Sequence, residues 1–111
     1  MPVTQSLNRK SSWNPIPLYN DAVFFATANT AKNYTVPLNT FLLSFACPVG
    51  NFGLRVGGVA AWAAADVPDG SSLDVNPTER VVSPGMVISI IGDAANQAVY
   101  INCYNTRFFN G

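Results

Sequence analysis

The sequence predicts an all-β fold, an antiparallel β-sandwich, on three observations. Seven or eight short runs alternate apolar with smaller or polar residues, or gather β-branched and aromatic ones. Clusters of Gly, Pro, Asn, Asp and Ser separate these runs, and no stretch holds a long helical period. At 111 residues the chain is one domain, long enough to bury roughly 65% of its unfolded surface. These observations alone leave a jelly roll and an immunoglobulin-like sandwich equally open. No repeat of 20 to 50 residues points to a propeller or solenoid, and no heptad to a coiled coil.

Residues 1–20 read as an extended arm and residues 21–111 as the sandwich. Pro2, Pro15 and Pro17 remove backbone donors and bias their predecessors to extended conformations. The arm nevertheless carries Trp13, Ile16, Leu18 and Tyr19, apolar groups that need a surface to lie on. Two surfaces suit them: the end of their own sandwich, or a neighbouring subunit, on which a proline-stiffened segment docks at a low ordering cost.

The body begins with a strand at Ala22–Thr27, where Phe24 and Phe25 take opposite faces, followed by a polar turn at residues 28–33. Tyr34–Leu38 reads as a strand broken by Pro37. The clearest alternation is Phe41–Cys47, with Phe41, Leu43, Phe45 and Cys47 on one face and Leu42, Ser44 and Ala46 on the other. Phe52–Val56 gives a short strand that turns Leu54 and Val56 inward. Val59–Ala65 is rich in alanine, which favours a helix, yet its neighbours favour a sheet, and it is assigned as strand.

Residues 66–83 form the longest stretch of turn signals, in which Asn76-Pro77-Thr78-Glu79 has the pattern of a capped helical turn and Arg80–Val82 that of a brief edge strand. Met86–Ile91 and Ala98–Tyr104, joined by residues 92–97 with Gly92, Asp93 and Asn96, carry a strong hairpin signal. Phe108 and Phe109 in the tail add apolar surface where exposure is expected, a second hint of contact between subunits.

Charge restricts the partners. Six Lys plus Arg balance six Asp plus Glu, and charged residues make up 11% of the chain against roughly 25% in ordinary soluble domains. Such a surface has little self-repulsion, so a homo-oligomer, dimer or trimer, is expected, with a polar uncharged monomer as the alternative. Arg9-Lys10 is the only adjacent basic pair, so no nucleic-acid partner is expected, and no run is long enough to cross a bilayer. The N-terminus lacks the pattern of a secretory signal, and Cys47 and Cys103, each within a strand run, are expected as free thiols.

Chemistry is sparsely provided for. There is no histidine, which removes the commonest general base and most zinc sites, and no enzyme activity or cofactor is expected. Asp66, Asp69, Asp74 and Glu79 share one region, where a carboxylate pair in a cleft would suit glycosidase chemistry. Asp66, Asp69 and Asp74 around Gly70 offer hard oxygen ligands for calcium, but their spacing is not that of the helix-flanked calcium loop. Gly50, Gly53, Gly57 and Gly58 do not form a dinucleotide fingerprint, and Asn33-Tyr34-Thr35 is a glycosylation sequon only in a secreted chain. Trp62 and Trp13 are candidate sugar-stacking platforms; Trp62 among alanines is read instead as a buried or interfacial indole.

A resemblance adds to this reading. Thr35-Val36-Pro37, Phe41-Leu42-Leu43-Ser44-Phe45, the run from Leu54 to Ala61, the run from Ala65 to Ser71, the run from Leu73 to Pro77, and Val87–Ile91 with Val99-Tyr100-Ile101 together resemble small structural proteins of tailed-phage virions. The resemblance covers about two thirds of the chain and rests on the order of short motifs. It implies a jelly-roll-like sandwich on the capsid exterior as a decoration, or cement, protein. It also implies the major capsid protein as partner and a location on the virion after synthesis in the host cytoplasm. Partner binding is then expected at Trp13, Ile16, Leu18, Tyr19, Trp62, Phe108 and Phe109. A tail or fibre component, or a glycan-binding module for host attachment, is the alternative.

Overall fold

Eight strands build the computed structural model, which describes residues 16–62 and 73–106. They are β1 (Tyr19–Phe25), β2 (Ala31–Thr35), β3 (Leu42–Ala46), β4 (Phe52–Val56), β5 (Asp74–Val75), β6 (Glu79–Val81), β7 (Val87–Gly92) and β8 (Gln97–Tyr104). Two antiparallel four-stranded sheets result, one in the order β1-β8-β3-β6 and the other in the order β2-β7-β4-β5. The pairs β1–β8, β2–β7, β3–β6 and β4–β5 are those of one long hairpin. Rolling that hairpin sets β8 against β3 and β7 against β4, which is the strand order of a jelly roll and separates it from the immunoglobulin alternative.

The expected hairpin between β7 and β8 is therefore not formed; the two strands lie in opposite sheets. Turn residues that close a hairpin serve equally to carry the chain over the end of a sandwich. The alternation within each run holds: Ile88 and Ile90 of β7 face Val99, Ile101 and Cys103 of β8 across a core that includes Phe25, Leu43, Phe52 and Leu54. The face of β3 expected to point inward does so, with Leu43 in the core and Phe45 and Cys47 packed against it.

Among the described residues each of the seven connections holds one residue with positive φ: Asn29, Asn39, Gly50, Gly57, Asn76, Gly85 and Asn96 in chain order. Asparagine and glycine are the residues that reach this conformation at low cost, so the punctuation read from the sequence is also the geometry of the turns. Asn76 bends the chain into β6, whose first residue is Glu79, so the expected capped helical turn is absent. Asn76 Oδ1 accepts from the Phe52 N–H at 3.0 Å, which spends the side chain on a neighbouring strand instead of a helix cap.

Four further boundaries differ from expectation. β1 starts at Tyr19, inside the expected arm, and the Leu18 N–H donates to the Cys103 carbonyl at 2.7 Å. Pro17 removes only its own donor; the residues after it pair with β8. β2 occupies Ala31–Thr35, because Pro37 cannot extend a ladder whereas Lys32 and Asn33 can. Val59–Trp62 is not a strand; it crosses the outward side of β7, with the Ala60 N–H donating to Ser89 Oγ at 2.8 Å. β5 and β6 lie within the expected long loop, two and three residues long. Residues 63–65 and the loop aspartates Asp66 and Asp69 fall outside the described residues.

The crossing between sheets is secured by Gln97, the first residue of β8 and fully buried. Its Nε2 donates to the carbonyls of Val49 at 2.7 Å and Asn51 at 3.0 Å, and its Oε1 accepts from the Ala94 N–H at 3.2 Å. A Cβ on Gly92 would overlap Gln97 Oε1, so glycine is required there by close approach. Asp93 adds a second tie, accepting from the Asn51 N–H at 2.8 Å and from Asn51 Nδ2 at 3.0 Å. Replacing Gln97 with leucine removes the bonds its fully buried amide makes to the Val49 and Asn51 carbonyls and to the Ala94 N–H, so Gln97→Leu is expected to cost on the order of 2 kcal/mol. Urea denaturation measures this, and faster amide exchange at Ala94 and Asp93 localises it.

Candidate interaction surface

The outward side of the β1 sheet assembles residues from four strands that are distant in sequence. Register places them in rows: Phe24 beside Ala98; Ala22, Tyr100 and Ala46; Asn20, Asn102, Ser44 and Glu79; then Tyr104, Leu42 and Val81. Leu18 continues the last row, since its N–H pairs next to Tyr104. Two apolar bands thus flank one polar band, and Glu79 is the single ionisable carboxylate or base in these rows. Phe24 is 51% exposed, Tyr100 49% and Val81 67%, while Leu42 is buried without joining the core cluster.

The expected partner-binding residues divide unevenly over the molecule. Ile16 is 88% exposed ahead of β1, Leu18 is half-exposed on the face just described, and Tyr19 is the half-exposed first residue of β1. Ala60, two residues before Trp62, is tied to Ser89 on the opposite sheet, so the chain leading to Trp62 runs over the other side of the sandwich. Trp62 is half-buried and its Nε1 is buried without a hydrogen-bond partner. Trp13, Phe108 and Phe109 lie outside the described residues. Sequence reasoning missed Phe24, Tyr100 and Val81 as exposed apolar residues of one face. The opposition of Phe24 to Phe25 was a signal, but an uncovered face becomes visible only when strand neighbours are known.

Strand β1 is fastened to the opposite sheet by a polar link. The Tyr34 hydroxyl of β2 donates to Asp21 Oδ2 at 2.5 Å and makes a second contact, at 3.1 Å, with Sγ of the buried Cys103. Lys32 Nζ also reaches across, donating to the Phe24 carbonyl at 2.6 Å. Burial first, then the bond to Asp21, pushes the Tyr34 hydroxyl well above its ordinary range; burial likewise raises the Cys103 thiol. A buried, protonated thiol is a poor nucleophile, so this trio fastens the sheets. Both cysteines are free, as expected.

The acidic candidates separate as well. Asp74 accepts two bonds from the Arg80 guanidinium, at 2.5 and 2.6 Å, and Glu79 projects from the outward side of β6. Among the described residues no three His, Cys, Asp or Glu side chains gather as metal ligands, and no helix is long and apolar enough to cross a membrane. Set against protein-family models, curated proteins and solved structures, the chain matches none.

The tyrosine link predicts a pH dependence. Because the folded state favours neutral Tyr34, its contribution is complete below pH 10, the ordinary tyrosine value, and is lost as pH rises beyond it. Tyr34→Phe is expected to cost about 1 kcal/mol near neutrality and to remove this share of the alkaline loss. Denaturant unfolding of both proteins at pH 7 and at pH 10.5 to 11.5 checks both parts.

Proposed function

We propose that this chain is a structural protein of a phage virion that binds the capsid exterior as a homo-oligomer and stabilises it by bridging neighbouring capsid subunits. The observation that carries the reading is the outward side of the β1 sheet, a rigid, nearly uncharged face with exposed Phe24, Tyr100, Leu18 and Val81. Exposed apolar bands flanking a polar one on a folded domain favour burial against protein. The face belongs to a framework tied at its end by Gln97 and at its side by Tyr34, so little ordering entropy opposes docking. The jelly-roll strand order agrees with what the resemblance to virion proteins implies, and the low charge suits packing among repeated copies.

Antibody against the chain, imaged on intact virions of the encoding phage, tests the location. Label on the shell is the expected result; label on the tail moves the reading to a tail or fibre component, and virions free of the protein overturn it. Tyr100→Glu and Phe24→Glu, each placing a carboxylate on an exposed outward position, are expected to weaken capsid binding at least tenfold with the fold unchanged. Co-sedimentation with capsids stripped of the protein measures the loss, and undiminished binding by both variants removes this face from the interface.

A further inference from the structure

The two long sides of the sandwich are closed very differently. Along β1 and β2 the sheets are fastened by the Tyr34–Asp21 bond, by Lys32 on the Phe24 carbonyl, and by the same ammonium 5.8 Å from the centre of the Phe25 ring. Along β5 and β6 the edge strands are only two and three residues long, and a cavity of about 180 Å³ opens between the sheets. Leu54, Val56, Val82, Met86 and Ile88 line it. One ion pair, Arg80 with Asp74, spans its mouth from one sheet to the other.

The geometry points to this cavity as a binding site for a single uncharged apolar ring or branched hydrocarbon group. Its volume is comparable to the roughly 150 Å³ of an enclosed aliphatic-lined cavity that accepts benzene, and this cavity is open to solvent on one side. Met86, unbranched and half-buried, adapts the wall to the occupant. The ion pair is partly exposed on both sides, 47% and 38%, so opening it is inexpensive beside the apolar area that a ring buries. A charged occupant is disfavoured, because it loses hydration on entry, Arg80 and Asp74 at the mouth already neutralise each other, and the guanidinium of Arg55, a third charged residue of the lining, is directed to the Val59 carbonyl at 3.3 Å. Among the described residues β5 and β6 are the ends of their sheets, so a ring carried on an extended peptide also meets strand edges at the rim.

Methyl-labelled full-length chain titrated with toluene, followed by carbon–proton correlation spectra, tests the assignment. Saturable shifts are expected at the methyls of Leu54, Val82, Met86 and Ile88 and not at Val23, on the fastened side. Benzoate and benzylammonium are expected to bind at least tenfold more weakly. Val56→Trp, at a position 59% exposed and lining the cavity, is expected to suppress the shifts while leaving the rest of the spectrum in place. Absent shifts at these methyls with the wild-type chain at saturation, or equal affinity for the charged analogues, overturn the site.

A blocked Gly-Phe-Gly peptide distinguishes the two sources of such a group. Binding tenfold tighter than toluene, with slowed exchange of edge amides in β5 or β6, assigns the site to a side chain on an extended segment; parity with toluene assigns it to a free small molecule.

Discussion

The side-chain amide of Gln97 stands where the chain leaves one sheet and enters the other. Fully buried, it bonds the carbonyls of Val49 and Asn51 and receives the Ala94 N–H, joining the β3–β4 connection to the β7–β8 connection. A buried amide without partners would cost a few kcal/mol, so its position demands that both loops stay where they are. The framework follows from that demand. β8 is held between β1 and β3, β7 between β2 and β4, and the core closes between them. Gly92 belongs to the same constraint, since a side chain there would occupy the space of the amide oxygen.

Around this end the molecule is asymmetric in a way that matters for interaction. Hydrogen bonds tie the β1/β2 side, whereas short strands and one exposed ion pair guard the β5/β6 side. The two outward faces differ too. Residues 59–62 and Leu73 cover part of the β2 sheet, with Ser89 bonded to Ala60 and the Leu73 side chain against Gly53. The β1 sheet presents its neutral bands with Phe24 and Tyr100 half-exposed. One face is partly covered by the chain itself, and the other keeps Phe24, Tyr100 and Val81 exposed.

The sequence made the inward sides of strands legible, because alternation with period two records which side chains seek the core; β3, β4, β7 and β8 follow from it. Pairing left no comparable trace. Gly92, Asp93 and Asn96 mark a reversal, and nothing in a turn signal says whether the returning strand rejoins its own sheet or crosses to the other. β5 is too short to show a period at all, and its role rests on Asp74 meeting Arg80, six residues away. The candidate surface was readable only in part. Leu18 and Ile16 stood out as apolar residues among prolines, but Phe24, Tyr100 and Val81 become neighbours only through β8 and β3.

Because β8 lies between β1 and β3, β1 depends on a strand that leaves the ribosome long after it. Among the described residues β1 pairs only with β8, so residues 19–25 await residues 97–104. β2 depends in the same way on β7, while β3–β6 and β4–β5 can form earlier. Folding thus depends on pairing strands far apart in the chain, and its rate belongs with the slow, non-local β topologies. During that interval Val23, Phe24 and Phe25 are open to another nascent chain's β8, so exchange of β1 between copies is the misassembly to which this topology is most vulnerable.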